Sequence, residues 1–418
     1  MIVSLAEIVI VSLLVDWGFR KLSVPGLIGM LLLGVLFGPY VLNWLDPTLI
    51  NVSSDLRLIA LIVILLRAGF ELSRDTLNRV GMRVVLLSVV PATIEAAAIT
   101  VLGPPLLGLT YLESAILGAV LGAVSPAVVV PLMINFIDRR MGAEKGIPTM
   151  VLAASSIDDV YVIVIYSVLV GMLTGNEASL GWAIAGIPIS IVTGIAVGLA
   201  VGLVLMKLFQ RFNPRATKRV LVVIGLAVLL VEIEHLLGGW VPFAALLAVM
   251  AVGFIILEKD EHMAHGISAK LGKIWVFAEI LLFVMVGAQV NVSVALQAGL
   301  EGALLIALGL VARSLGTWLC LLKSDLNRGE RLFVVISYIP KATVQAAIGG
   351  GALIAMRAAG MATEPGEVIL AVAVLSILLT APLGAWAIAV TGEWWLERAP
   401  ASVHAERDAA VESEALES

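Results

Sequence analysis

Apolar runs recur along the chain, separated by short polar segments that hold most of the charge. Thirteen can be set off, near 2–20, 25–42, 56–72, 82–103, 112–136, 147–173, 181–210, 217–236, 240–258, 267–290, 299–322, 329–356 and 366–391. A helix of about 18 or more apolar residues crosses the ~30 Å hydrocarbon core of a bilayer. The pattern therefore predicts an all-α polytopic membrane protein with 13 transmembrane helices. The ten-residue alternation of a membrane barrel is not seen.

Basic residues orient the spans. With the N-terminus outside, Arg57 and Arg357 are the only Lys or Arg in outer segments, and Arg67, Arg313 and Lys341 fall inside spans. All the others, out of 26, collect on the inner side. Such a bias fits cytoplasmic loops and a cytoplasmic C-terminus, and an even number of spans would scramble it. The expected location is an inner (plasma) membrane.

An odd count with a free seventh span allows two six-span halves of opposite orientation, 1–6 and 8–13, an inverted repeat of the transporter kind. Matched interruptions support it. Span 5 is broken by Ser125-Pro126 and again by Pro131, and its counterpart, span 12, by Pro340 and Gly349-Gly350-Gly351. Paired discontinuous helices point to a binding site at the midplane.

Composition narrows the class further. Of 418 residues, 61% are apolar and 14% charged, against roughly 25% charged in a soluble protein, and mean hydropathy is +1.08. Cys320 is the single cysteine, so no disulfide forms within the chain. Met1-Ile2-Val3-Ser4 has no basic leader, so the first apolar segment is expected to be retained. The segment 393–418 is acidic and polar beyond Trp394 and Trp395, and reads as a cytoplasmic tail.

Charges inside spans are costly and are functional candidates by default. Asp158 and Asp159 begin about eleven residues into span 6, roughly 17 Å deep at 1.5 Å per residue. Neighbours on a helix point about 100° apart, so the two carboxylates face different surroundings. Ser155 is one turn before Asp159 and offers a second oxygen to a small hard cation. Lys341, beside the break at Pro340, is the expected partner of one Asp, which leaves the other free to trade a proton for a cation. Glu95 in span 4 and Arg313 in span 11 occupy repeat-related positions and form a second pair, either a tie between the halves or a gating element. Arg67 and Glu71, four apart in span 3, are expected to pair locally. Glu232, Glu234 and His235 read as an acidic outer mouth. His262 and His265 read as a solvated loop.

At these residues the chain resembles the sodium/proton antiporters, and within them the NHA branch of the second cation:proton antiporter family. Ser125-Pro126-Ala127-Val128-Val129-Val130-Pro131, Glu144-Lys145-Gly146-Ile147-Pro148-Thr149, Ser156-Ile157-Asp158-Asp159 and Pro340-Lys341-Ala342-Thr343-Val344-Gln345 carry the likeness. The resemblance implies two crossed discontinuous helices in a mobile core that slides against a dimer-forming panel. Mapped here, 1–80 and 213–295 are the dimerisation panel, 81–175 and 296–392 the core, 176–212 a linker and 393–418 the tail. It also implies that Asp159 carries the ion and the proton, that Asp158 pairs with Lys341, and that Glu95 pairs with Arg313. Many relatives have Thr-Asp at the first break, where this chain has Val124-Ser125-Pro126; Ser125 is expected to supply part of the missing compensation.

The expected function is exchange of Na⁺ or Li⁺ for H⁺ by alternating access, with cation and proton competing for Asp159 and the cation held by Asp159 and Asp158. The protein is not expected to be an enzyme. No cofactor or nucleic acid is expected, and the expected partners are the transported ions, membrane lipid and a second copy of the chain. A potassium/proton antiporter or a gated cation efflux system is the rival of the same fold. An intramembrane aspartyl protease would need Asp residues on two spans. Two aspartates allow two protons per cation, whereas a permanently paired Asp158 allows one.

Overall fold

The computed structural model describes residues 1–21, 25–70, 72, 74–174, 180–237 and 243–398. Among them every named element is a helix, and the sole β-type pairing is an isolated bridge between Met141 and Arg398. In order these are α1 (Ile2–Lys21), α2 (Gly26–Phe37), α3 (Pro47–Asn51), α4 (Ser53–Gly69), α5 (Arg74–Leu107), α6 (Tyr111–Gly122), α7 (Pro126–Asp138), α8 (Ile147–Leu173) and α9 (Leu180–Phe212). Then follow α10 (Ala216–Leu237), α11 (Ala245–Lys259), α12 (Glu261–Ala288), α13 (Val292–Gln297), α14 (Gly299–Cys320), α15 (Arg328–Ser337), α16 (Thr343–Ile348), α17 (Gly351–Ala358) and α18 (Glu364–Trp395).

Among the described residues eight segments are long and apolar enough to cross a membrane: Ile2–Lys21, Val80–Leu107, Tyr111–Asp138, Ile147–Leu173, Pro188–Phe212, Glu261–Ala288, Gly299–Cys320 and Glu364–Trp395. The protein is thus a multi-pass membrane protein. Helices α2, α4, α10 and α11 and the three pieces α15–α17 lie over the five remaining apolar stretches.

The helices pack in two groups. In one, α12 lies against α2 and α4, and α11 against α4 and α9. Small residues let these backbones approach. A Cβ on Gly34 would meet the Val284 carbonyl, and one on Gly287 the Leu31 carbonyl, so α2 and α12 interlock through reciprocal glycines. In the other, α5 packs on α6, α8 and α14, and α18 runs along α6, α13 and α15–α17.

Two helices are interrupted. The first breaks at Ala123–Ser125, between α6 and α7. Pro131 was expected to add a second interruption, yet α7 runs straight through it. A proline removes one backbone donor, and a helix embedded among neighbours tolerates that single loss. The second breaks at Tyr338–Ala342 and again at Gly349–Gly350. Both interrupted helices begin with a capping box, Thr110 with Glu113 in α6 and Asn327 with Glu330 in α15.

Candidate functional site: a buried ion cluster at two helix breaks

The two breaks touch. Ser125 N–H donates to the Pro340 carbonyl at 2.8 Å, and Ser125 Oγ lies 3.3 Å from Thr343 Oγ1. Ser125 and Lys341 are fully buried. A break orphans carbonyls at the end of one helix piece and N–H groups at the start of the next. Side chains from other helices meet both sets. Gln345 Nε2 donates to the Val120 and Ala123 carbonyls, at 3.0 Å each. Lys341 Nζ donates to the Leu121 carbonyl, and Arg313 to the Gly122 carbonyl and, at 2.7 Å, to Tyr338 O. Cations at the negative ends of α6 and α15 suit the helix dipoles. The Val124 N–H is taken by Asp158 Oδ2 at 2.8 Å.

The same side chains form one ion cluster. Arg313 Nη1 is 2.9 Å from Glu95 Oε2, and Nη2 is 3.0 Å from Asp158 Oδ2. Lys341 Nζ is 2.8 Å from one Glu95 oxygen and 3.0 Å from the other. All four residues are at most 1% exposed. Arg313 reaches them from α14 because Gly309 and Gly316 lie on its face, four residues before and three after it. A Cβ on either would come within 3.1 Å of α5 atoms, so their bare backbones let the two helices close up. The Arg313 guanidinium also sits 5.3 Å from the Tyr338 ring centroid.

One expected pairing is corrected. Lys341 was assigned to Asp158, but it bonds Glu95, and Arg313 bridges Glu95 and Asp158. The reason is geometric. Arg313 offers a fork of donors that reaches two carboxylates and two carbonyls at once, whereas Lys341 is a point charge. The pair Glu95–Arg313 is present, as part of this larger cluster.

Asp159 stands apart. It is 8% exposed, its Oδ1 is buried without a hydrogen-bond partner, and no ion pair reaches it among the described residues. Ser155, one turn before it, is fully buried and donates its hydroxyl to Leu152 O at 3.0 Å, which leaves its oxygen lone pairs free. Ser156 bonds the same carbonyl at 3.1 Å.

Elsewhere, Arg67 bonds Asp138 of α7 at 2.8 Å. Glu71, its expected local partner, lies outside the described residues, as do the side chain of His235 and residues 399–418 of the tail. Glu232 is exposed, and so are His262 and His265, with His265 3.7 Å from Glu261. Two participants escaped the sequence reading. Gln345 was quoted only as part of a motif, and the double role of Arg313 had no local signal. Gln345 could have been found as an amide inside an apolar span.

A multi-pass helical chain with a buried ion cluster where two matched helix breaks meet has the architecture of a secondary transporter. The chain belongs to the sodium/hydrogen exchanger family, whose transmembrane-domain description, "Sodium/hydrogen exchanger, transmembrane", matches residues 8–392. It is 34% identical to the human protein named sodium/hydrogen exchanger 9B2 over 396 residues, 93% of this chain and 72% of the relative. It is 33% identical to human sodium/hydrogen exchanger 9B1 over 387 residues, 90% and 73% of the two chains. Its fold matches that of the sodium proton antiporter MjNhaP1 from Methanocaldococcus jannaschii, solved at pH 8, with a TM-score of 0.76 over 94% of this chain and 98% of that one, at 23% identity.

Proposed function

We propose that this protein exchanges Na⁺ or Li⁺ for H⁺ across the membrane and that Asp159 is the carboxylate for which cation and proton compete. The observation that carries this reading is a charge count. Glu95 and Asp158 are balanced by Arg313 and Lys341 within 3.0 Å. Asp159 has no such counter-ion, and an uncompensated buried carboxylate costs several kcal/mol. It therefore holds either a proton or a cation, and ligand competition at one group couples the two fluxes without further machinery. Asp158 and the oxygens of Ser155 and Ser125 are the neighbours from which the cation's shell would be drawn. Family membership and the names of the relatives support Na⁺ and H⁺ as the exchanged ions.

Transport follows an elevator path in this reading. The α5–α8 and α14–α18 group is the moving core, carrying the crossed breaks, and the α1–α4 and α10–α12 group is the panel on which a second copy docks, with α9 as linker. In this reading thirteen spans set the termini on opposite sides of an inner membrane, and the Lys and Arg bias supports an outer N-terminus and a cytoplasmic C-terminus.

The test is dequenching of a pH-sensitive dye in everted vesicles on addition of Na⁺, Li⁺ or K⁺. Wild type is expected to dequench with Na⁺ and Li⁺, and Asp159→Asn with none. Exchange by Asp159→Asn at the wild-type rate sinks the proposal, and a response to K⁺ alone transfers it to the potassium reading.

A further inference from the structure

A cavity of about 410 Å³ opens between the two helix groups, lined among others by Tyr40, Ser53, Gln289, Gln345, Gly351 and Val374. It lies at the end of the molecule that carries Met1, since the Met1 amino group pairs with Asp46, just beyond Tyr40 and before Ser53. Gln345 is 1% exposed and its orientation is fixed. Its Nε2 donates to two carbonyls at 3.0 Å, and turning the amide over would aim Oε1 at those same oxygens. Oε1 consequently has no partner, although it is buried. An unpaired buried amide oxygen costs about 1–3 kcal/mol and calls for an explanation.

A second orphan stands behind Gly351, one of the lining residues. Tyr166 Oη is also buried without a partner. It occupies the space where a Cβ on Gly351 would stand, so the hydroxyl is admitted against the cavity wall by a glycine. Tyr166 is seven residues after Asp159 on α8, two turns or about 10 Å along the same face. Gln345 is tied to the carboxylates more directly. The Ala123 carbonyl that accepts from Gln345 belongs to the peptide group whose N–H, that of Val124, donates to Asp158. One peptide plane therefore separates the amide from the Asp158 carboxylate, a span of no more than about 8 Å.

We propose that Gln345 Oε1 and Tyr166 Oη coordinate the cation in the conformation open to this cavity, replacing part of its water shell on the way to Asp159. Neutral oxygens suit that task. They ligate a hard cation but hold it weakly enough to release it. The inference rests on the exchanger reading and adds to it a sidedness, because the two oxygens serve only the face that carries Met1.

The experiment measures ²²Na⁺ uptake driven by a proton gradient in right-side-out and in everted vesicles, for wild type, Gln345→Leu and Tyr166→Phe. Tyr166→Phe keeps the ring and removes only the hydroxyl, so it reports even where Gln345→Leu lowers expression by freeing the α6 carbonyls. Each variant is expected to raise the apparent KM for Na⁺ about fivefold to tenfold from the Met1 face. The value from the opposite face is expected to stay within about twofold. Equal shifts on both faces, or a change in Vmax with no one-sided KM shift in Tyr166→Phe, overturns the inference while leaving Asp159 as the exchange site. Absence of proton-driven Na⁺ uptake in wild type overturns the exchanger reading and this inference with it.

Discussion

Arg313 supplies the sharpest test of the buried cluster. Replacing it with Met removes the donors to Glu95, Asp158, Gly122 O and Tyr338 O and leaves Lys341 as the one cation beside two carboxylates. Asp158 then keeps only the Val124 N–H. Removing one partner of a buried pair costs about 3–5 kcal/mol. Neutralising the stranded charge with Asp158→Asn on the Arg313→Met background is expected to recover about 0.5–3 kcal/mol, the range for contacting residues. Asp159→Asn on that background is expected to recover little, since Arg313 does not bond Asp159. The assay is tryptophan-monitored thermal unfolding in one detergent and lipid mixture at one scan rate, since membrane proteins seldom unfold reversibly. Arg313→Met melting within about 1 °C of wild type refutes the scheme. So does rescue by Asp159→Asn with none by Asp158→Asn, which would mean that Arg313 balances the other carboxylate.

Three further outcomes follow from the geometry. Lys341→Met is expected to be partly rescued by Glu95→Gln and not by Asp158→Asn, since Lys341 bonds Glu95; the same melting assay reads it, and the reverse order contradicts the pairing. Lys145 bonds Glu330 at 2.8 Å, which raises its pKa above the ordinary lysine value, so the pair stabilises below about pH 10.4 and loses its contribution as pH climbs through the raised value. Glu330→Gln keeps the capping box with Asn327 but not the ion pair; its melting temperature is expected to fall less between about pH 9 and pH 11 than that of wild type, and parallel curves would contradict this. Gly287→Ala puts a Cβ within 2.9 Å of Val35 N and is expected to cost about 1–3 kcal/mol, whereas Gly225→Ala, with nothing within 4 Å, is expected to be neutral or stabilising in the same scan.

What the sequence discloses depends on how local each signal is. Among the described residues eight of the expected spans are single segments long and apolar enough to cross a membrane, because hydrophobicity summed over some 20 residues is a strong local quantity; shorter or broken helices lie over the other five stretches. The breaks at Ser125-Pro126 and Pro340 are legible because proline and its preceding residue disfavour continuous helix. Pro131 misleads, since one lost hydrogen bond does not end an embedded helix. Charged residues in apolar spans mark the site, so Glu95, Asp158, Asp159, Arg313 and Lys341 all stand out. Their connectivity does not, because it depends on the reach of a guanidinium across four helix pieces. The short helices α3 and α13 fall in connecting segments where periodicity has too few residues to act. Gln345 remains hidden for a related reason: its bonding depends on which carbonyls face its amide, a tertiary property.

The central claim is that cation and proton share Asp159, and calorimetric counting of protons at equilibrium tests it most directly. Na⁺ is titrated into the purified protein in buffers of different ionisation enthalpy, near the pH at which half the sites are protonated. Competition predicts that binding releases protons, with apparent affinity weakening up to about tenfold for each pH unit of acidification, and that Asp159→Asn shows neither binding nor release. Na⁺ binding without proton release in wild type, or with undiminished affinity in Asp159→Asn, would contradict it.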